Sequence, residues 1–526
     1  MARAARATDD IREIRQAADQ LLRLATGAPA GEYQPSPAAA DPDAAAAALR
    51  AFDVNQAAAA WQRYHSHPRA GALVRWAGAY LNPAAPGFAD QALEALRQAA
   101  AGPTPEGAKP ASPPGTDDWS TLPPAEQDLA DREMLDFVFL IDLLNFGTWP
   151  DPEDVEAARQ AGAAHGGVFG VTWAGRRQEG YAGLCAAVLR AAAAGVPVAR
   201  PAFWLAADDR LLEAVFLGEA GAPGIPLLAE RVALLRAAGR GLAEHGLTSY
   251  AEFVDRFARC GSLKVSGPGG MQLCACGTLP GRSGPPCAQA LLRALQAGLP
   301  AACFAGDVAI YAPAPSGSDA VDWLDHVSPA PGETYFDGEH GQGPSFQVPL
   351  LKRAQILVAD TWAAVSGRGP AAFVPASIQK LTMFADNRVP QALRHIGMLQ
   401  IVAPPLEARL RRSAQAGPSS AGGAAGSASS ASGYGAAYGR GAAFGRDAYL
   451  DAGSSAEIEI RAASVVAVDR LRAEMQQTLA QAAQHGRRSA PTVTALQIDY
   501  LLWEWAKRDA AAMADISTHR TRTTNY

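Results

Sequence analysis

The chain is 526 residues long, 48% hydrophobic and 19% charged, with a formal net charge of -6; that length holds one large core or two ordinary domains. The acidic balance excludes a protein that lives on bulk nucleic acid, which needs a basic surplus to displace counterions from phosphates, whereas a small anionic ligand needs only one local basic pocket. No stretch of about 20 apolar residues runs without a charge, so no membrane span is predicted.

In chain order, residues 9–25 have helical spacing, with Ile11, Ile14, Leu21 and Leu24 on one side. Asp9, Asp10 and Glu13 interrupt the N-terminal arginines and no apolar signal core follows, which predicts a cytoplasmic protein. Residues 45–64 read as helix, closing on His65-Ser66-His67-Pro68-Arg69, and residues 100–125 as a proline-rich loop. Residues 133–146 form a buried segment whose pattern fits helix or strand equally. Helical spacing follows at 181–194, 207–216, 226–244 and 250–258, and returns at 349–364, 390–399, 456–483 and 493–514.

Two stretches break this series: 263–318 is rich in Gly, Pro and Cys, and 414–445 is Ser/Gly/Ala low complexity. Neither can bury enough apolar surface to repay the entropy of ordering it, so both read as disordered insertions that stay mobile. Five of the six cysteines fall between Cys260 and Cys303, but Cys274-Ala275-Cys276 lacks the paired spacing of a structural zinc site. They read as reduced thiols, and no metal is assigned. Strand signals are sparse; Asp337-Gly338 is the one Asp-Gly pair. The expectation is a mainly α protein, one large helical domain over 8–526, monomeric and decorated by Gly/Ser/Pro-rich insertions.

Two segments carry candidate chemistry. In Phe384-Ala385-Asp386-Asn387-Arg388-Val389-Pro390, the proline suits the first turn of a helix, which places Phe384 and Asp386 on the turn leading into it. The ring can stack on a heterocycle while the carboxylate accepts its N–H groups; equally, Phe384 can be core and Asp386 a helix cap. In Ile498-Asp499-Tyr500-Leu501-Leu502-Trp503-Glu504-Trp505, Tyr500 and Glu504 share one helical face, and Asp499 and Trp503 share another. Acids among aromatic rings suggest a polar pocket. The plainer alternative is a helix whose acids face water and whose tryptophans are core.

With these segments, others in order resemble the queuosine salvage proteins, the queuosine 5′-phosphate N-glycosylase/hydrolases. They are residues 61–69, Ile141 through Trp149, Gly170-Val171-Thr172-Trp173, Tyr181 through Cys185, Ile225-Pro226, Glu230-Arg231, Lys352-Arg353 through Trp362, Glu457 through Arg461, and His519-Arg520-Thr521-Arg522. The resemblance implies a helical fold distantly like helical DNA glycosylases. It implies hydrolysis of queuosine 5′-phosphate to free queuine, with no cofactor, no direct nucleic-acid binding and no membrane partner. It places His65, Phe384 and Asp386 around the base, and Asp499 and Tyr500 at the base or its cyclopentenediol arm. Glu504 falls where the family carries its nucleophile or transition-state stabiliser, and Lys352, Arg353, Arg388 and Arg520, with His519 and Arg522, are candidates for the phosphate. The chain departs from the family pattern in having Glu504 for the usual Asp and Asn387 for the usual Tyr. A non-catalytic queuine or queuosine carrier is the alternative the Glu504 change leaves open.

The chemistry fits such residues. Breaking an N-glycosidic bond builds positive charge at the anomeric carbon, so a carboxylate beneath the sugar stabilises the transition state. A 7-deazaguanine has carbon where guanine has N7, so help to the leaving base must come through its pyrimidine edge, where Asp386 and His65 are the expected partners. Asp499 is expected to pair with the cationic side-arm amine.

Overall fold

The computed structural model describes residues 86–101, 123–150, 168–219, 223–259, 285–311, 346–401, 406–410, 449–486 and 492–526, isolated positions aside, and the two-residue strands Val265–Ser266 and Gln272–Leu273. His65, the expected helices at 9–25 and 45–64, residues 102–122 of the proline-rich loop, Cys274 and Cys276, and the 414–445 stretch lie outside the described residues.

Helices dominate. The first two are α1 (Phe88–Ala101) and α2 (Pro124–Leu143). α2 resolves the ambiguous segment as helix: Pro124 fits its first turn, and its second half is buried nearly all round. A hairpin of β1 (Gly170–Trp173) and β2 (Arg176–Glu179) pairs Gly170 with Glu179 and leads into α3 (Gly180–Ala193). The short α4 (Pro201–Ala206) was not expected; the helix expected at 207–216 is α5 (Asp209–Val215), which Asp208 starts by accepting the Leu211 N–H. Then come α6 (Leu228–Glu244), α7 (Tyr250–Phe257), the small β3 (Val265–Ser266) and β4 (Gln272–Leu273), α8 (Ala288–Gly298) and α9 (Ala301–Phe304).

Residues 285–311, within the stretch 263–318 expected to be mobile, are therefore structured. Leu291, Leu292 and Leu295 of α8 are buried in the core, and Cys287 and Cys303 are buried thiols rather than exposed ones. The leucines there repeat at helical spacing, a signal the flanking Gly and Pro residues obscure.

β5 (Val308–Tyr311) pairs antiparallel with β6 (Phe346–Pro349), Val308 opposite Pro349, and β6 turns directly into α10 (Lys352–Ala364). α10 packs along α2. After the short α11 (Pro375–Ile378) come α12 (Val389–His395), the long α13 (Ser455–Gly486) and α14 (Ala495–Arg508). Among the described residues, no helix is long and apolar enough to cross a membrane.

The buried apolar side chains form two main clusters. One gathers α1 to α10; the other gathers β5, β6 and α12 to α14. Three chain segments straddle their boundary. Leu350 belongs to the second cluster and Leu351 to the first; Met383 and Ala385 to the second and Phe384 to the first; Ile498 and Leu501 to the second and Leu496 and Tyr500 to the first. These three segments carry the candidate site.

Candidate active site

The contacts of the 384–386 turn match the core-and-cap alternative. Phe384 is 4% exposed and packs in the core, and Asp386 Oδ1 accepts the backbone N–H groups of Arg388 and Val389 at 2.9 Å each, fastening the entry to α12. Yet Asp386 is more than a cap, because two other charged groups are buried beside it.

The first is Asp499. Its Oδ1 accepts the Phe384 N–H at 3.0 Å, tying α14 to the turn. Burial, then the neighbouring Asp386 carboxylate, pushes the Asp499 carboxyl well above the ordinary aspartate range. The second is Lys352, the first residue of α10, 7% exposed, whose ammonium reaches the Asn145 carbonyl at 3.4 Å. Burial lowers its affinity for the proton and Asp386 and Asp142 raise it, for a net decrease. Burial likewise raises the Asp386 carboxyl, against the pull of Lys352. Two buried acids facing one ammonium cannot both ionise cheaply, so they titrate as a pair and hold a proton on aspartate above the usual pH range.

Tyr500 lies one residue beyond Asp499. Its ring meets Phe384 edge-on, centroids 5.9 Å apart, and its hydroxyl donates to Asp360 Oδ1 on α10 at 2.7 Å. The hydroxyl is committed to the scaffold, and the ring holds Phe384 in place. Glu504 follows one turn later on the same face of α14 and is half-buried. Trp503 beside it packs against the second core cluster and carries Lys507 Nζ over its ring at 3.3 Å. Phe384, Asp386, Asp499 and Tyr500 thus adjoin one another, with the Lys352 ammonium acting on both acids and Glu504 one turn further along α14.

The basic residues separate by burial. Arg353 is buried, donates to the Leu143 and Ala302 carbonyls, and lies over the Phe146 and Phe304 rings at 5.3 and 5.6 Å. Arg388 is half-buried at the rim of the turn and donates to Gln391 Oε1 at 3.1 Å. Arg520 is buried, and its carbonyl accepts the Leu450 N–H. His519 is buried and lines a water-sized cavity with Asn387, Gln391 and Arg394. Burial, then repulsion from Arg461 and Arg394, pushes its imidazole down to about 3. Among the described residues, no group of three or more His, Cys, Asp or Glu could hold a metal ion.

Sequence reasoning passed over Asp142, Asp307 and Asp360, and gave Arg461 no role. Asp360 and Arg461 sit within quoted motifs, so a buried acid and a buried arginine in a helix were the available signals. Asp307 lay in a stretch read as mobile, and nothing local marks it.

A family model described as queuosine salvage protein matches residues 125–262, 333–421 and 442–526, which include Lys352, Phe384, Asp386, Arg461, Asp499, Tyr500 and Glu504 but not His65 or Asp307. A Mus musculus protein named queuosine 5′-phosphate N-glycosylase/hydrolase is 26% identical over 408 residues, 78% of this chain and 86% of its own. Proteins of the same name are similar in Schizosaccharomyces pombe, at 33% over 272 residues (51% of this chain, 58% of that one), and in Sphaerobacter thermophilus, at 28% over 396 residues (75% and 82%).

Proposed function

The chain belongs to the queuosine salvage protein family, and from that premise we propose that it adds water across the N-glycosidic bond of queuosine 5′-phosphate, releasing queuine and ribose 5-phosphate. One observation carries this reading. A core-backed aromatic ring, Phe384, stands beside a buried pair of acids, Asp386 and Asp499, whose carboxyls burial pushes above the ordinary aspartate range and on which the buried Lys352 ammonium acts.

In this reading the base stacks on Phe384. The acid pair supplies hydrogen bonds, and a proton, to its pyrimidine edge as the bond to ribose breaks, which a deazapurine needs because it has no N7 to protonate. Low-dielectric surroundings strengthen those interactions. Glu504, outermost of the acids on α14, stabilises positive charge at the anomeric carbon, and water completes the hydrolysis. Arg388, at the rim and only half-buried, is the best placed of the basic candidates for the 5′-phosphate, since Arg353 is committed to carbonyls and rings. His65 joins the base site by resemblance alone.

Incubation of the purified protein with queuosine 5′-phosphate tests the reading: equimolar queuine and ribose 5-phosphate are expected. Recovery of intact ligand from a tight complex makes the protein a carrier and overturns the hydrolase reading. Glu504→Gln is expected to abolish release of queuine while leaving ligand binding intact, and unchanged turnover removes Glu504 from the mechanism.

A further inference from the structure

Lys352 and the 384–386 turn come from distant parts of the chain, yet one buried pair of side chains holds both. Arg461 on α13 donates through Nε to the Ala385 carbonyl at 2.8 Å, at the centre of the turn. Its two terminal nitrogens grip both oxygens of Asp307, at 2.9 and 2.8 Å, and Nη1 also reaches Glu457 at 3.0 Å. The Tyr526 ring lies against the guanidinium at 4.1 Å.

Asp307 in turn holds the start of α10. Its carbonyl accepts the N–H groups of Leu350 and Leu351, at 3.0 and 3.2 Å, and its Oδ2 accepts that of Lys352 at 2.8 Å. Three consecutive amides thus converge on one aspartate. Between them, Leu351 takes φ 49°, a left-handed conformation that a branched side chain adopts only where its surroundings compel it. That corner sets the direction in which Lys352 leaves the backbone.

We propose that Arg461 and Asp307 are positioning residues that lock Lys352 and the Phe384-Ala385-Asp386 turn into one geometry, so that the lysine faces the acid pair. The inference rests on the site reading given above. Stability alone does not account for the pair, because a buried ion pair is often no better than apolar side chains of similar volume. What only an arginine supplies is a planar fork that serves a carboxylate and a carbonyl at once.

Lysine in its place keeps the charge and loses the fork. Displacing Lys352 changes the balance around it: Lys352 is faced by Asp386, Asp142, Arg353 and Arg461, Asp386 by Lys352 and Arg388, and Asp499 by Asp386 and Lys352. With the ammonium withdrawn, both carboxyls titrate at higher pH.

The test uses the full chain carrying Arg461→Lys, with Asp307→Asn as a second variant should the first not fold. It measures queuosine 5′-phosphate hydrolysis against pH, and backbone amide exchange at residues 350–352 and 384–386. The expected result is a loss in kcat of about 10²-fold, the scale of a displacement of about 1 Å. The pH–rate profile moves to higher pH, and exchange rises at both segments together. An unchanged rate overturns the proposal, as does a rate that falls only with the folded fraction while the profile stays in place. Wild-type protein that releases no queuine refutes the function instead. Exchange then still decides the coupling: a joint rise supports it, and a rise at one segment only overturns it.

Discussion

Asp386 accepts two backbone amides and Asp499 one, each through a single oxygen, so their conformations are fixed whether or not they are charged. Burial raises both carboxyls, the two titrate as a pair, and Lys352 pulls both back down. Asp499→Asn keeps an acceptor for the Phe384 N–H but removes a negative neighbour from Asp386, whose carboxyl then titrates lower. The pH–rate profile of that variant is expected to move to lower pH, opposite to Arg461→Lys, with a reduced maximum; a profile moving upward contradicts the pairing. His519 makes a separate prediction about stability. Its folded value lies below that of a free histidine, so the unfolded chain takes up a proton first as the solution is acidified. The stabilisation is complete above the ordinary histidine value and is lost as pH falls towards about 3, at a slope of about 1.4 kcal/mol per pH unit. Urea midpoints across that window should show the slope in the wild type and a shallower one in His519→Asn.

The elements differ in how much of their placement their own residues carry. α14 was legible: its apolar spacing predicted the helix, and Thr494 with Gln497 closes a reciprocal cap at its first turn. Thr494→Ala should cost about 1 kcal/mol in a urea titration. The turn before α12 was legible too, through Pro390, though local pattern left Phe384 and Asp386 undecided between core and site. Their contacts are those of a core ring and a helix cap, and a ligand-facing role is compatible with both, so no local rule chooses between them. α10 was legible as a helix but not in its start. Residues 346–349 belong to a strand paired with 308–311, and Lys352 takes its direction from Leu351, held in the left-handed region by an aspartate more than forty residues earlier in the chain. Contacts of that span leave no trace in periodicity. Lys352 is a phosphate candidate by resemblance, and its buried ammonium lies under the influence of Asp386 and Asp142.

At the scale of the molecule, the helical class followed from composition and spacing, while the division of the core into two clusters did not. The site lies on that division, where segments 350–352, 383–386 and 496–501 cross from one cluster to the other. Packing on both sides explains how three charged groups are kept buried in a fixed arrangement. A consequence follows for ionic strength. Mobile ions weaken attraction between exposed charges and act much less on buried ones; at about 1 M the screening length is about 3 Å. A dianionic substrate approaching Arg388 should feel those ions, and a proton held between Asp386 and Asp499 should not. Added electrolyte is therefore expected to raise KM several-fold and leave kcat nearly constant, so that capture and bond cleavage respond separately to the same solution.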